Sequence, residues 1–133
     1  LSDLMTDWTF GMHALDLLEQ HKNKSYGYFF NEPSPLFDGK LGAYHASELP
    51  YVFGSANKKM FKNLCSEKSD EISNFFQLSW SQFAKTGSPS SHLMDWDVYE
   101  NNSFIVYINS VPRIKTFKNK DRIKLLYESK LNF

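Results

Sequence analysis

A single cysteine, Cys65, is all that the 133-residue chain contains, so no disulfide can form within it. That scarcity fits a reducing compartment or a cysteine-poor segment, which makes the cytoplasm the expected location. Secretion stays open, because any signal peptide would precede Leu1. Long apolar runs are lacking as well. None approaches the ~20 residues a membrane-spanning helix needs. Fifteen basic and fifteen acidic side chains cancel, which leaves no basic surface for nucleic acid or an anionic membrane. Metal motifs are missing too: Leu49 follows Glu48, so the stretch after His45 is neither His-Glu-x-x-His nor His-x-x-Glu-His. One cysteine and scattered histidines exclude the usual structural zinc patterns. With no phosphate loop and no dinucleotide fingerprint, neither a cofactor nor a metal is expected. No internal repeat or low-complexity tract is present.

The length suffices for one domain core, and residues 1–133 read as a portion of a single domain. Because it begins at Leu1 and not Met, the chain is expected to be part of a longer translation product. Leu4, Trp8, Met12, Leu15 and Leu18 recur at helical spacing. Asp3 and Asp7 near the start of this helix, and His21 and Lys22 near its end, suit the dipole. His13 and His21 belong to it as solvated or surface-packed side chains. Residues 25–30 are aromatic on both faces, which suggests a strand in the middle of a sheet. A loop follows at residues 31–35, and residues 57–64 suit one or two helical turns.

Ser66 is placed to cap a helix running to about Thr86, with Ile72, Phe76, Trp80, Phe83 and Ala84 as its buried stripe. Glu67, Asp70 and Glu71 crowd the first turn. Gly87 stops this helix and Pro89 prevents its continuation. A strand at residues 103–108, a turn at 109–112 and a return strand to about Phe117 form a hairpin. A terminal helix begins at Asp121 and carries Arg122, Ile123, Leu126, Tyr127 and Leu131. The sequons at Asn23 and Asn101 carry no weight without evidence of secretion.

Between these elements lies the stretch around which the rest is arranged: Gly42, Ala43, Tyr44, His45, Ala46, Ser47, Glu48, Leu49, Pro50, Tyr51, Val52, Phe53 and Gly54. It reads as a loop that presents one histidine and then turns into a short helix, with Gly42 giving the backbone freedom before His45. Ser47 is placed to cap that helix and Gly54 to end it. By residue type alone, His45 is either a proton-transfer group or an ordinary structural or surface histidine.

The same stretch resembles the histidine segment of the type B carboxylesterases, the serine esterase family that includes bacterial para-nitrobenzyl esterases and cholinesterases. Gly42, His45, Ala46, Glu48, Leu49, Pro50, Val52, Phe53 and Gly54 meet that pattern. Downstream, Trp80, Phe83, Ala84, Lys85, Thr86, Gly87 and Pro89 match a second signature, followed by Trp96. The resemblance implies the C-terminal part of an α/β-hydrolase fold: mostly helical, with a late sheet strand and a small β-hairpin.

It also implies roles. His45 would be the catalytic histidine of a Ser-Glu/Asp-His triad acting on a small-molecule carboxylic ester. Glu48 would support the histidine loop through buried hydrogen bonds, since a triad acid must approach the far ring nitrogen. An α/β-hydrolase orders its triad serine, acid, histidine, with the serine at a Gly-x-Ser-x-Gly elbow. This sequence has no Gly-x-Ser and no glycine-rich oxyanion segment. The serine and acid are therefore expected upstream, in a missing N-terminal part of the same domain, and the chain alone is expected to be inactive. Oligomeric state is left open. Two other readings stand beside this one, a non-catalytic cholinesterase-like adhesion or binding protein and an inactive truncated product.

Overall fold

The computed structural model describes residues 2–100, 104–117 and 119–131. The Asn101 sequon and the side chains of Asp3 and Leu131 lie outside them. The chain packs as two compact units. One comprises Leu1–Gly27, Val98–Ile105 and Lys115–Phe133, the other Tyr28–Asp97 and Val106–Ile114.

The first unit is built on helices. Its N-terminal helix runs through α1 (Ser2–Thr6), a π-helical segment (Asp7–Gly11) and α2 (Met12–Gln20). α5 (Lys120–Leu131) packs against the π segment and α2. Met12 and Leu15 are the buried part of the expected stripe, and Ile123 of α5 is buried in the same unit. Leu4 and Trp8, assigned to the same stripe, are instead exposed. One reason is the π segment, whose wider turn shifts the 3.6-residue phase on which the stripe depends.

Asp7 was expected to serve the helix dipole. It is buried instead, and its Oδ2 accepts a bond from Arg122 Nε at 2.6 Å, with the guanidinium also in ion-pair contact. Gly11 permits the close approach, since a Cβ there would lie 2.9 Å from Ile123 Cδ1. Glu19 pairs with Lys120 and Lys124 at 3.0 and 3.2 Å. Burial would raise the Glu19 pKa, but the two ammonium groups outweigh it and leave it below the ordinary value.

In the second unit, α4 (Ser69–Thr86) is the organising helix. No glycine or proline interrupts it, Asp70 and Glu71 occupy its first turn, and Lys85 its last. Its end matches expectation: Gly87 adopts φ 74° and its N–H donates to Phe83 O at 2.8 Å. Its start differs by a turn. Ser66 Oγ accepts the Lys68 N–H at 3.0 Å, a local turn that delays helical geometry to Ser69.

Ile72, Phe75, Phe76 and Ser79 face the core of this unit, each hydrophobic member worth ~2 kcal/mol of burial. Trp80 is half-buried and stacks edge-on against Phe76, with centroids 5.0 Å apart. Phe83 and Ala84, expected in the buried stripe, are exposed because the packing surface ends a turn earlier. Residues 57–64 form successive hydrogen-bonded turns through Lys58 and Phe61 without becoming a helix.

The strand expected at residues 25–30 is shorter, β1 (Tyr28–Phe30). It joins β2 (Phe104–Ile108) and β3 (Arg113–Thr116) in one sheet of order β1-β2-β3. β1 runs parallel to β2 with Tyr28 opposite Val106 and Phe30 opposite Ile108. The four-residue link from β2 to β3 requires an antiparallel hairpin. Among the described residues β1 is an edge strand rather than a central one, and Tyr28 is exposed. No helix of the described residues is long and apolar enough to cross a membrane.

Candidate active site at the histidine turn

β1 carries the chain to the histidine. Its ladder continues one residue past Phe30, where Asn31 N–H donates to Ile108 O at 2.9 Å. Glu32 follows, buried, its Oε2 accepting Ser110 N–H at 2.8 Å. Ser34 then fixes the loop, donating its hydroxyl to Leu64 O at 2.9 Å and its N–H to Gly42 O at 3.0 Å. Between these anchors the backbone turns through a 3-10 segment (Leu36–Gly39) in which Phe37, Asp38 and Gly39 all have positive φ.

His45 occupies the second position of a tight turn closed by Ser47 N–H donating to Tyr44 O at 3.0 Å. The third position is Ala46 at φ 66°. That left-handed angle ordinarily favours glycine and costs an alanine ~1–2 kcal/mol. The turn holds His45 exposed at its tip, where an imidazole can reach another group.

α3 (Leu49–Val52) begins immediately after, with Glu48 at its N-cap position. Ser47 does not cap it. The Leu49 N–H already donates to Ala46 O, and Pro50 has no N–H to offer. The Ser47 hydroxyl is buried without a hydrogen-bond partner among the described residues. Gly54 ends α3 as expected, with φ 59° and its N–H on Tyr51 O. Gln77 of α4 lies against it, so that a Cβ at this position would collide with the amide.

Glu48 is half-buried and close enough to Tyr28 for its charge to act there. Partial burial of the ring first, and the Glu48 charge second, push the Tyr28 pKa up. Beneath α3, Tyr51 Oη accepts Ser66 N–H at 2.8 Å. Burial raises the Tyr51 pKa well above the ordinary tyrosine value, and burial likewise pushes the Cys65 thiol up, with the Tyr51 hydroxyl opposing.

A groove of about 270 Å³ opens beside the turn, lined by Tyr44, Leu49, Pro50, Phe53, Phe61 and Leu64 with Ala46 and Ser55. Sequence reasoning did not register Ala46 as strained, Ser47 as unpartnered, or Tyr28 as a neighbour of Glu48. Among the described residues, no group of three or more His, Cys, Asp or Glu is placed to hold a metal ion.

A parallel strand leading into a short histidine turn and then a helix is the arrangement of an α/β-hydrolase. Solved structures agree: a PNB esterase matches over 93% of this chain with a TM-score of 0.77 and 28% identity, covering 26% of that protein. The carboxylesterase family matches residues 1–126, and the chain belongs to that family. It is 32% identical over 91 residues to the para-nitrobenzyl esterase of Bacillus subtilis, across 66% of this chain and 19% of that protein. It is 33% identical over 110 residues to bile salt-activated lipase of Bos taurus, across 73% of this chain and 18% of that protein. The chain thus spans about a fifth of the length of the curated relatives it matches.

Proposed function

We propose that these residues form the histidine-bearing part of a single serine carboxylesterase domain that hydrolyses small carboxylic esters. The observation that carries this reading is the exposed His45 at the tip of a strained, hydrogen-bonded turn, inside the region matched by the carboxylesterase family. His45 acts as general base. It takes the proton from a serine hydroxyl as that oxygen attacks the ester carbonyl carbon, and then gives it to the departing alkoxide. A water molecule replaces the alcohol, loses its proton to His45 and releases the acid as the serine is reprotonated. The serine, the triad acid and the oxyanion donors come from polypeptide outside this sequence.

Glu48 serves as an anchor of the turn, not as the triad acid. Its half-buried place at the N-cap of α3, with its charge acting on Tyr28, supports that assignment. The experiment grafts residues 1–133 in place of the matching segment of the Bacillus subtilis esterase. The graft should hydrolyse a para-nitrophenyl ester, its His45→Ala variant should not, and residues 1–133 alone should be no faster than free imidazole. Turnover by the folded His45→Ala graft would remove His45 from the mechanism.

A further inference from the structure

Two side chains, one on each side of the histidine turn, reach the same short segment of chain. Before the turn, Ser34 donates its hydroxyl to Leu64 O at 2.9 Å. After it, Tyr51 Oη accepts the Ser66 N–H at 2.8 Å. Ser34 is 3% exposed and Tyr51 2%, so neither bond is readily replaced by one to water. All four residues belong to the second unit. Ser34 makes two further bonds. Its Oγ accepts the Leu36 N–H at 3.3 Å, and its own N–H donates to Gly42 O at 3.0 Å. The backbone bond closes the loop that leads to His45, and the hydroxyl fastens the closed loop to Leu64. The span from Gly42 to Tyr51, with His45 between them, is thus tied at both ends to residues 64–66. Within that span Ala46 keeps φ 66°, a conformation that persists only where the surroundings over-determine it. The Ser47 N–H bond to Tyr44 O closes the turn, but the two tethers fix where it stands.

Resting on the carboxylesterase reading above, we propose that Ser34 is a positioning residue for His45. Its hydroxyl acts through the turn, setting where the imidazole stands relative to the serine, and not how tightly the ester binds. A general base must lie within hydrogen-bond reach of the proton it takes, and a displacement of ~1 Å costs about a hundredfold in rate. Tyr51 holds the other end of the span, but its ring also packs against Phe30. Ser34 brings no ring, so its substitution isolates the tether.

The test compares Ser34→Ala, Ser34→Thr and Arg122→Ala in the graft on the Bacillus subtilis esterase. Ser34→Ala removes the bond to Leu64 and leaves the backbone bond to Gly42. It should lower kcat for a para-nitrophenyl ester by ~10–100-fold, with KM within about threefold of the parent. Ser34→Thr keeps the hydroxyl and should restore kcat to within about fivefold. Arg122→Ala loosens the first unit and should leave kcat within about twofold. Hydrogen exchange supplies a readout independent of turnover. In Ser34→Ala the backbone amides of residues 42–47 should exchange ~10-fold faster, while those of α4 keep the parent rate. An unchanged kcat, or a rise in KM alone, would overturn the proposal. So would a loss in Ser34→Thr as deep as in Ser34→Ala, or an equal loss in Arg122→Ala. A Ser34→Ala graft without a cooperative thermal transition would also count against it, since the hydroxyl would then hold the fold and not the turn. Faster exchange at the turn together with undiminished hydrolysis by the His45→Ala graft would keep Ser34 as the tether and refute the catalytic reading, so the two failures are distinguishable.

Discussion

Tyr51 Oη accepts the Ser66 amide at 2.8 Å, and through that bond the short helix after His45 is tied to the segment that opens α4. The Tyr51 side chain is almost wholly buried, packed against the Phe30 ring and with Cys65 within reach. Removing it leaves a part-buried N–H unsatisfied, which costs ~1–3 kcal/mol.

Tyr51→Phe should therefore lower unfolding free energy by about 1–2 kcal/mol at neutral pH, measured by urea denaturation. The pH dependence follows from the raised pKa. An unfolded tyrosine ionises near pH 10, whereas the folded one holds its proton to higher pH. The unfolded state thus binds fewer protons above that point. Stability from this group is fully present below pH ~10 and falls by up to ~1.4 kcal/mol per unit above it. Tyr28 and Cys65 shift in the same direction and share the slope. Tyr51→Phe should flatten the alkaline limb without abolishing it, and an unchanged slope would contradict the assignment.

Asp7 and Arg122 should respond unequally to truncation. Asp7 is buried, while the Arg122 side chain is 45% exposed. Arg122→Ala strands a carboxylate in the first unit, at a cost of ~3 kcal/mol. Asp7→Ala lets the guanidinium return to water and should cost only about 1–2 kcal/mol, the loss of a charge-assisted hydrogen bond. Equal losses in denaturant midpoint would mean that Asp7 is better solvated than its burial indicates.

Ser47→Ala tests whether the buried hydroxyl of the histidine turn is unpaired. In residues 1–133 the substitution removes an unpaired buried hydroxyl and should be neutral or stabilising by up to ~1 kcal/mol. A loss of ~1 kcal/mol or more in urea denaturation would show that the hydroxyl is already paired within the chain.

Much of this architecture is legible in the sequence because its signals are local. Gly87 and Pro89 end α4 through backbone geometry alone, and Gly54 does the same for α3. Acidic residues mark the start of α4 within a turn of its true position. The misses come from tertiary context. Phe83 continues the helical period of Phe76 yet is exposed, since period says which face a residue shares and not how far a packing surface extends. Asp7 looks like a dipole-facing carboxylate because its partner stands 115 residues away. The joining of residues 28–30 to the hairpin in one parallel-antiparallel sheet is equally non-local. At the histidine turn, the loop that presents His45 ahead of a short helix was readable from the residues around it. The left-handed Ala46 was not, because alanine carries no signal for positive φ. Ser47 misled for the opposite reason, being a good capping residue whose target amides are taken or absent.

Whether His45 moves the serine proton is read directly in the acylation step. The measurement is the burst of para-nitrophenol released in the first turnover by the graft and by its His45→Ala and Glu48→Gln variants. His45→Ala should slow the burst by ~10⁴-fold or more while its thermal transition is kept. Glu48→Gln should retain the burst at a rate within about tenfold of the parent, as befits a group that holds the turn. A His45→Ala protein that is folded and bursts at the parent rate would show that another group takes the serine proton.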